Sequence, residues 1–501
     1  MADRFRNLLH HFLQAIPFKI LPAAVTTAFL LTILALPVPS GLSANGWTML
    51  AIFLTTILAI ILKVMPIGVM ALMAIVIVTF SRVTSPTASR AMADALASFA
   101  HPLIWLIVIA VLVSLGLRKT GLGRRLGLIF IAMLGRRTLG IGYGLVLCEL
   151  LLAPFTPSNT ARGGGILHPI MKSIANAFDS DPAKGTEKRV GTYLALVNYH
   201  ANPISSAMFL TATAANPLAL DYVARATGGA IHLTWTSWAV AMFVPGAVAL
   251  LLMPLVLYLL SPPELKSTPD AVVYARAELE RMGPLSPREI VMLGTFFLLL
   301  VLWANIPALL FGPAFTLDPT QVAFLGLFVL LVTGTIDWND VLSEKSAWDT
   351  LFWFGALVMM AEQLNKLGVV GWFSEGMRNG IAAAGLSWPI TAAILVAIFT
   401  FTHYAFASAT AHVSAMMLAF VTVGAMLIPP EFQAPFMLMM VAASALMMTL
   451  THYATGTSPI IFGSGYVTLG RWWGVGFVMC MVDLLVFALV GAAWWKLLGY
   501  W

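Results

Sequence analysis

Apolar stretches of about twenty residues, separated by short polar breaks, run along almost the whole chain. A helix needs about 20 predominantly apolar residues to cross the hydrocarbon core of a bilayer. On that measure the pattern predicts spans near 20–38, 47–62, 65–81, 102–117, 190–216, 235–260, 290–306, 320–336, 348–365, 434–460 and 472–497. Two regions resist a single crossing. In 141–178, apolar arms at 141–155 and 166–178 flank the polar run "TPSNTARGGG"; in 387–428, two apolar arms flank "FASATAH". Each is predicted to be a re-entrant hairpin, a pair of short helices that enters the membrane and turns back at mid-depth. Non-helical backbone at that depth is tolerated only where protein or a watery cavity surrounds it. The predicted fold is an all-α polytopic membrane protein with about eleven transmembrane helices plus two re-entrant hairpins.

Composition agrees. Soluble domains carry about 25% charged residues, whereas this chain has 10%, with 60% hydrophobic residues and a mean hydropathy of +0.92. Charge then sets the topology. Arg118, Lys119, Arg124, Arg125, Arg136 and Arg137 follow the fourth span with no acid among them, which makes that segment cytoplasmic. Four spans precede it, so the N-terminus, with Arg4, Arg6 and Lys19, is expected inside and the C-terminus outside. Lys172, Lys184, Lys188 and Arg189 lie at and just beyond the far end of 141–178. That region therefore starts and ends on one side, as a hairpin requires. The hydrophilic segment 261–288 mixes Lys266, Arg276 and Arg281 with Glu264, Asp270 and Glu278. It is predicted to be a partly helical cytoplasmic linker.

The first apolar run is long and further spans follow at once, so it is expected to stay as a helix rather than be cleaved as a signal peptide. No basic stripe with interleaved aromatics accompanies the net charge of +6, so no nucleic-acid partner is expected. Cys148 and Cys480 both fall in apolar segments and suggest neither a disulfide framework nor a metal cluster. No cofactor is expected.

The polar runs repeat at half-length. Ser158, Thr160 and Ala161 recur as Ser408, Thr410 and Ala411, while Asn159 becomes Ala409 and Arg162 becomes His412. The approach repeats too: "LRKTGLG" at 117–123 echoes "LNKLGVV" at 364–370. Behind each hairpin comes a helix with polar interruptions. Asn202, Pro203, Ser205 and Ser206 interrupt the first; Gly456, Ser458, Pro459 and Gly463 interrupt the second. One hairpin enters from inside and the other from outside, which makes an inverted repeat. Paired broken segments in such a repeat point to a substrate site near the midplane. The expected organisation is 1–100 as N-terminal scaffold helices and 101–234 as a first transport unit with hairpin 139–178. Scaffold helices and the linker fill 235–347, and 348–501 forms a second transport unit with hairpin 387–428.

Candidate site residues are Ser158, Asn159 and Thr160 in the first tip and Ser408, Ala409 and Thr410 in the second. Asn202, Pro203, Ser205, Thr455, Gly456, Thr457 and Ser458 join them from the broken helices. Ser, Thr and Asn are preferred helix N-caps, and a helix N-terminus holds an anion through free N–H groups and roughly half a positive charge. Two such tips meeting from opposite sides suit the two ends of an elongated dianion. Neither tip carries an acid, which argues against a cation as the main cargo. Arg162 and His412 lie about one helical turn past the tip serines. They are accessory groups that either attract anions or bond to the backbone of a neighbouring broken helix. His200 and His452 are expected to bond freed carbonyls rather than carry protons.

"SNTARGGG" and "SATAH", with "NPISSAMFLTATAANP" and "HYATGTSPI" behind them, resemble the divalent anion/sodium symporter family. The resemblance covers nearly the whole chain. It is nearest the citrate/dicarboxylate exchanger branch, which includes bacterial citrate:succinate antiporters and plastid 2-oxoglutarate/malate translocators. It implies a homodimer in a bacterial plasma membrane, with a scaffold part and an elevator-like transport part carrying both hairpins. It also implies that Ser158, Asn159, Thr160, Ser408 and Thr410 contact the carboxylates of a di- or tricarboxylate. Sodium-coupled members carry S-N-T in both motifs. Here Ala409 supplies no oxygen ligand at the second, which favours exchange of one carboxylate for another over sodium symport. Other classes fit less well. An enzyme would need a catalytic constellation, and the sequence shows no His-rich metal motif, nucleophile elbow or carboxylate pair at membrane depth. A cation/proton antiporter would need a membrane-depth acid, for which Glu149 and Asp483 stand alone.

Overall fold

The computed structural model describes residues 19–501; Arg4 and Arg6 of the basic N-terminal run lie outside the described residues. The described elements are helices, and the extended pairing among them is one isolated bridge between Arg137 and Ser267. Two compact units divide the chain. Among the described residues, 19–104 and Trp348–Met377 form one, and Trp105–Ala347 with Arg378–Trp501 form the other.

In the first unit, Ile20–Ala35, Ala44–Ile61 and Ile67–Ser81 pack in succession. The Ser43 hydroxyl caps the second of these by accepting the Gly46 N–H at 3.0 Å. Trp47 ties it to the first by donating its indole N–H to the Ile33 carbonyl at 3.0 Å. The Ser98 hydroxyl donates to Glu362 at 3.2 Å, inside helix Lys345–Lys366.

In the second unit the hairpins are present as helix, turn and helix. The first runs from Thr138–Leu152 through a 3-10 turn, Ala153–Phe155, to a widened π-helical turn, Thr160–Leu167, and His168–Ala177. The second runs from Trp388–Phe401 through the 3-10 turn Thr402–Ala405 to Ala409–His412, a widened turn Val413–Met417, and Leu418–Leu427. The two halves thus repeat even their irregularities. Helices Pro102–Thr120 and Lys345–Lys366 precede the hairpins. Each is followed by a left-handed glycine, Gly121 at φ 75° and Gly368 at φ 79°, a backbone that only glycine adopts without strain. These are the equivalent glycines of the echoed heptapeptides. Amphipathic helices the pattern did not predict, Leu122–Leu134 and Val369–Ala383, start directly after them.

By length and hydropathy, eight described helices qualify to cross a membrane, and the bent pair Pro269–Met282 and Pro287–Trp303, meeting at 108°, adds a ninth. The expected span at 190–216 differs most. It forms helix Gly191–Met208, then a 3-10 turn Leu210–Ala212, then Ala215–Ala226. Pro203 lies inside the first helix, and the break comes at extended Phe209, φ −128° and ψ 132°. Every residue of Gly191–Met208 is buried, so its Asn and Ser side chains face protein, and the helix continues through Pro203 to Met208. The second broken helix runs Pro430–Leu446, turns through Met447–Thr449, and resumes at Thr457–Phe462. Its Ser458 and Pro459 lie in the resumed helix, and the unwound stretch ends at Gly456.

Candidate functional site

Both tip serines act as caps. Ser158 Oγ accepts the Ala161 N–H at 3.1 Å and Ser408 Oγ accepts the Ala411 N–H at 3.3 Å. Satisfying one orphan donor at each helix start stabilises it by about 1 kcal/mol and aims the remaining N–H groups past the tip. Ser158, Asn159, Thr160 and Ser408 are half-buried, and Gly456 is exposed. Ala409 and Thr410 are buried, at 6% and 8% exposure.

The first tip meets the second broken helix. Asn159 donates its amide to Thr455 Oγ1 at 2.8 Å, Gly456 faces Thr160, and Gly163 faces Thr457. Tyr199, on Gly191–Met208, donates to the Met448 carbonyl and bonds Ser458 Oγ at 2.7 Å. The second hairpin grips the same unwound stretch just upstream. His403 bonds the Ala454 carbonyl at 3.1 Å, and the Tyr453 hydroxyl donates to the Tyr404 carbonyl at 2.8 Å. The docking is reciprocal: the widened turn of the first hairpin packs on Thr457–Phe462, and that of the second packs on Ala215–Ala226.

Asn202 and Ser205 face backwards, toward Glu149. The sequence reading has Glu149 standing alone; the structure pairs it with Arg162 in a fully buried ion pair, Nε to Oε1 at 2.5 Å. The same Oε1 accepts from Asn202 Nδ2 at 2.7 Å and Ser205 Oγ at 3.0 Å. Asn202 spends its second amide hydrogen on the Asn159 carbonyl, at 3.1 Å. Arg162 has five N–H groups, and all are used. Beyond Glu149 they reach the carbonyls of Thr156 at 2.6 Å and Ala212 at 3.0 Å, and the hydroxyls of Ser206 at 3.0 Å and Ser205 at 3.4 Å. Thr156 follows one 3-10 turn and Ala212 ends another. Arg162 therefore caps freed carbonyls at two helix ends, which is the backbone-bonding role of the two the sequence left open.

His412, its counterpart, is stacked between Phe399 and Phe406, with ring centroids at 4.7 and 4.4 Å. Its nitrogens contact Thr402 Oγ1 and His403 Nδ1, each at 3.1 Å. The Thr402 hydroxyl donates to the Ile398 carbonyl at 2.8 Å, and His403 Nε2 donates to the Ala454 carbonyl, so the histidine pair is tied to backbone at both ends. His403 and Tyr199 went unremarked in the sequence, since nothing local marks a side chain that reaches a distant break. Tyr199 takes the carbonyl-bonding role expected of His200, whose Nδ1 has no partner among the described residues. His452 accepts from the Trp473 indole at 3.1 Å. Asp483 is buried, and neither carboxyl oxygen has a hydrogen-bond partner among the described residues. No group of three or more His, Cys, Asp and Glu side chains converges among the described residues to hold a metal.

Two hairpins of repeated sequence, each packed on the helix that follows the other, around a polar centre, define an integral membrane protein of the secondary-transporter class. The chain belongs to the family described as the sodium:sulfate symporter transmembrane region, whose model matches residues 18–501. It is 44% identical over 483 residues to "Putative malate transporter YflS" of Bacillus subtilis (strain 168), covering 96% of this chain and 97% of that one. It is 43% identical to "Dicarboxylate transporter 1, chloroplastic" of Arabidopsis thaliana, covering 97% and 84% of the two chains. An "L-tartrate/succinate antiporter" of Escherichia coli O6:K15:H31 (strain 536 / UPEC) is 35% identical, covering 93% and 96%. The fold is similar to the crystal structure of the Alcanivorax borkumensis YdaH transporter, with a TM-score of 0.53 at 14% identity over 80% of this chain and 86% of that one.

Proposed function

We propose that this protein is a secondary active transporter of di- and tricarboxylates that exchanges one carboxylate for another without sodium. The substrate class rests on two acid-free capped tips in hairpins that both reach one unwound stretch, together with relatives named for dicarboxylate, malate and L-tartrate/succinate transport. Ser158, Asn159, Thr160, Ser408 and Thr410, with Thr455 to Ser458, are the proposed carboxylate contacts.

The observation that carries exchange over symport is Arg162. It already holds Glu149 Oε1, two main-chain carbonyls and two serine hydroxyls, so a fixed cation occupies oxygens that a travelling sodium ion would need. Ala409 offers no side-chain oxygen at the second tip. A carrier without a releasable cation is driven by its counter-substrate. The proposal includes a homodimer in a bacterial plasma membrane, N-terminus inside and C-terminus outside, with the hairpin-bearing part moving as an elevator.

Sodium-coupled symport is the second reading. The observation favouring it is that Thr156 Oγ1, Asn198 Oδ1, Asn202 Oδ1 and Thr457 Oγ1 are buried with no hydrogen-bond partner among the described residues, and oxygen atoms suit a hard cation. Uptake of labelled malate, succinate, citrate, 2-oxoglutarate and sulfate into proteoliposomes loaded with unlabelled succinate tests the substrate class. Uptake of at least one carboxylate, competed by the others, is expected. Uptake of sulfate alone, or of nothing, contradicts the proposal.

A further inference from the structure

Glu149 and Arg162 are both 0% exposed, and they stand on opposite arms of the first hairpin. Burying such a pair brings little net stability, because desolvation offsets the attraction. Its position suggests a different role. One oxygen of Glu149 gathers Arg162, Asn202 and Ser205, and Asn202 carries that hold forward to the Asn159 carbonyl. Asn159 then reaches Thr455. A single carboxylate thus fixes the first tip through two side chains. Its charge also cancels the guanidinium beside that tip, so the tip offers a dianion hydrogen bonds without a net fixed charge. In a low-dielectric surrounding an uncancelled cation nearby would hold a dianion far more strongly, and tight ground-state binding slows release.

Resting on the carboxylate-exchange reading, we infer that Glu149 is a positioning residue that both orients the first tip through Asn202 and neutralises Arg162, setting how tightly carboxylates are held. The charge and the scaffold can be separated by neutral isosteres. Glu149→Gln keeps an oxygen for Asn202 and Ser205 but leaves Arg162 uncompensated. Arg162→Gln leaves Glu149 uncompensated. The double variant is neutral again.

The test is the concentration dependence of exchange in proteoliposomes, with folding checked by detergent size-exclusion profiles. Glu149→Gln is expected to lower the KM for the dicarboxylate at least about fivefold and to lower the maximal rate. Arg162→Gln is expected to raise KM by a similar factor, and the double variant to return KM toward the wild-type value. A purely structural role lowers the maximal rate in all three and moves KM in none or in the same direction in each; either result overturns the inference. Should Glu149→Gln fail to fold, the pair of Arg162→Gln and the double variant decides. A raised KM that the second change restores supports neutralisation, and no restoration refutes it. The wild type separates the two levels. If it exchanges no carboxylate, the function reading fails; if it exchanges while KM ignores the charge changes, this inference alone fails.

Discussion

Asn159 is held from two sides at the first tip, its carbonyl by Asn202 and its amide by Thr455. Asn159→Ala removes the amide bond without emptying a core. Transport is expected to fall at least about tenfold, with an unchanged thermal unfolding profile, because positioning groups commonly contribute that much or more; wild-type uptake would remove this side chain from the mechanism. Glycines give a contrast. A Cβ at Gly456 would lie 3.3 Å from Thr160 Cγ2 and closer still to its hydroxyl, whereas one at Gly165 meets nothing within 4 Å. Gly456→Ala is expected to impair uptake severely while Gly165→Ala leaves it near wild type. Equal rates in the two would refute the contact of the tip with the unwound stretch. The tip serines were legible in the sequence because their half-length echo marks them. Glu149 was not, since its partner sits across a hairpin whose 3-10 and π turns make the facing of its arms unreadable from helical spacing. Asn202 and Ser205 were legible as polar interruptions, but nothing local says that they point toward an acid rather than an open site.

At the scale of elements, the basic segment after the fourth span does more than set topology. Arg118 pairs with Glu344, Lys119 with Asp337 and Asp340, and Arg124 with Glu278. Asp337 caps helix Trp338–Ser343, accepting the Asp340 N–H at 2.9 Å, and is also bonded by Lys119 at 3.2 Å. In that order these hold its carboxyl below the usual aspartate range. A lowered value means the contribution is present above the ordinary carboxylate range and is lost only as pH falls through the lowered value, so mild acid leaves this contact in place.

Arg125 is the buried member. It reaches Glu289 at 2.6 Å and the carbonyl of Gly283 at 2.8 Å, with Glu289 also closing a capping box on Ser286. This fastens the bend between Pro269–Met282 and Pro287–Trp303 to helix Leu122–Leu134. Glu289→Gln leaves a nearly buried guanidinium unpaired and is expected to destabilise the protein by about 3 kcal/mol, read as a lowered Tm in detergent. An unchanged Tm would show the latch to be dispensable. The fastening was invisible in sequence, where 118–137 reads only as a basic cytoplasmic segment. The break in this segment was misplaced as well: Asn202 to Ser206 read as the interruption, whereas the helix runs on through Pro203 to Met208 and breaks at Phe209.

For the whole molecule, the reciprocal docking of hairpins on broken helices bears on how the proposed elevator moves. A Cβ built on Gly164 lies 3.5 Å from that of Ile460, within the range a disulfide spans. The pair Gly164→Cys with Ile460→Cys is therefore expected to cross-link on oxidation. If the hairpin and the resumed helix travel as one body, exchange survives the cross-link; arrest that a reductant reverses would show that they separate during transport. The half-length duplication was legible down to Gly121 and Gly368. Length and hydropathy alone do not separate spans from hairpin arms: Thr138–Phe155, Trp388–Ala405 and Ala409–Leu427 qualify by that measure, whereas the apolar helices Ile20–Ala35, Ile67–Ser81 and Pro319–Val332 are shorter.

Exchange and sodium symport by the intact protein differ in what must be present on each side of the membrane. Proteoliposomes holding the purified protein are prepared with or without internal succinate, in sodium or potassium buffer, and labelled dicarboxylate uptake is followed. An exchanger takes up label only when carboxylate is present inside, at the same rate in both buffers. Uptake that requires external sodium and proceeds into liposomes without internal carboxylate would contradict exchange.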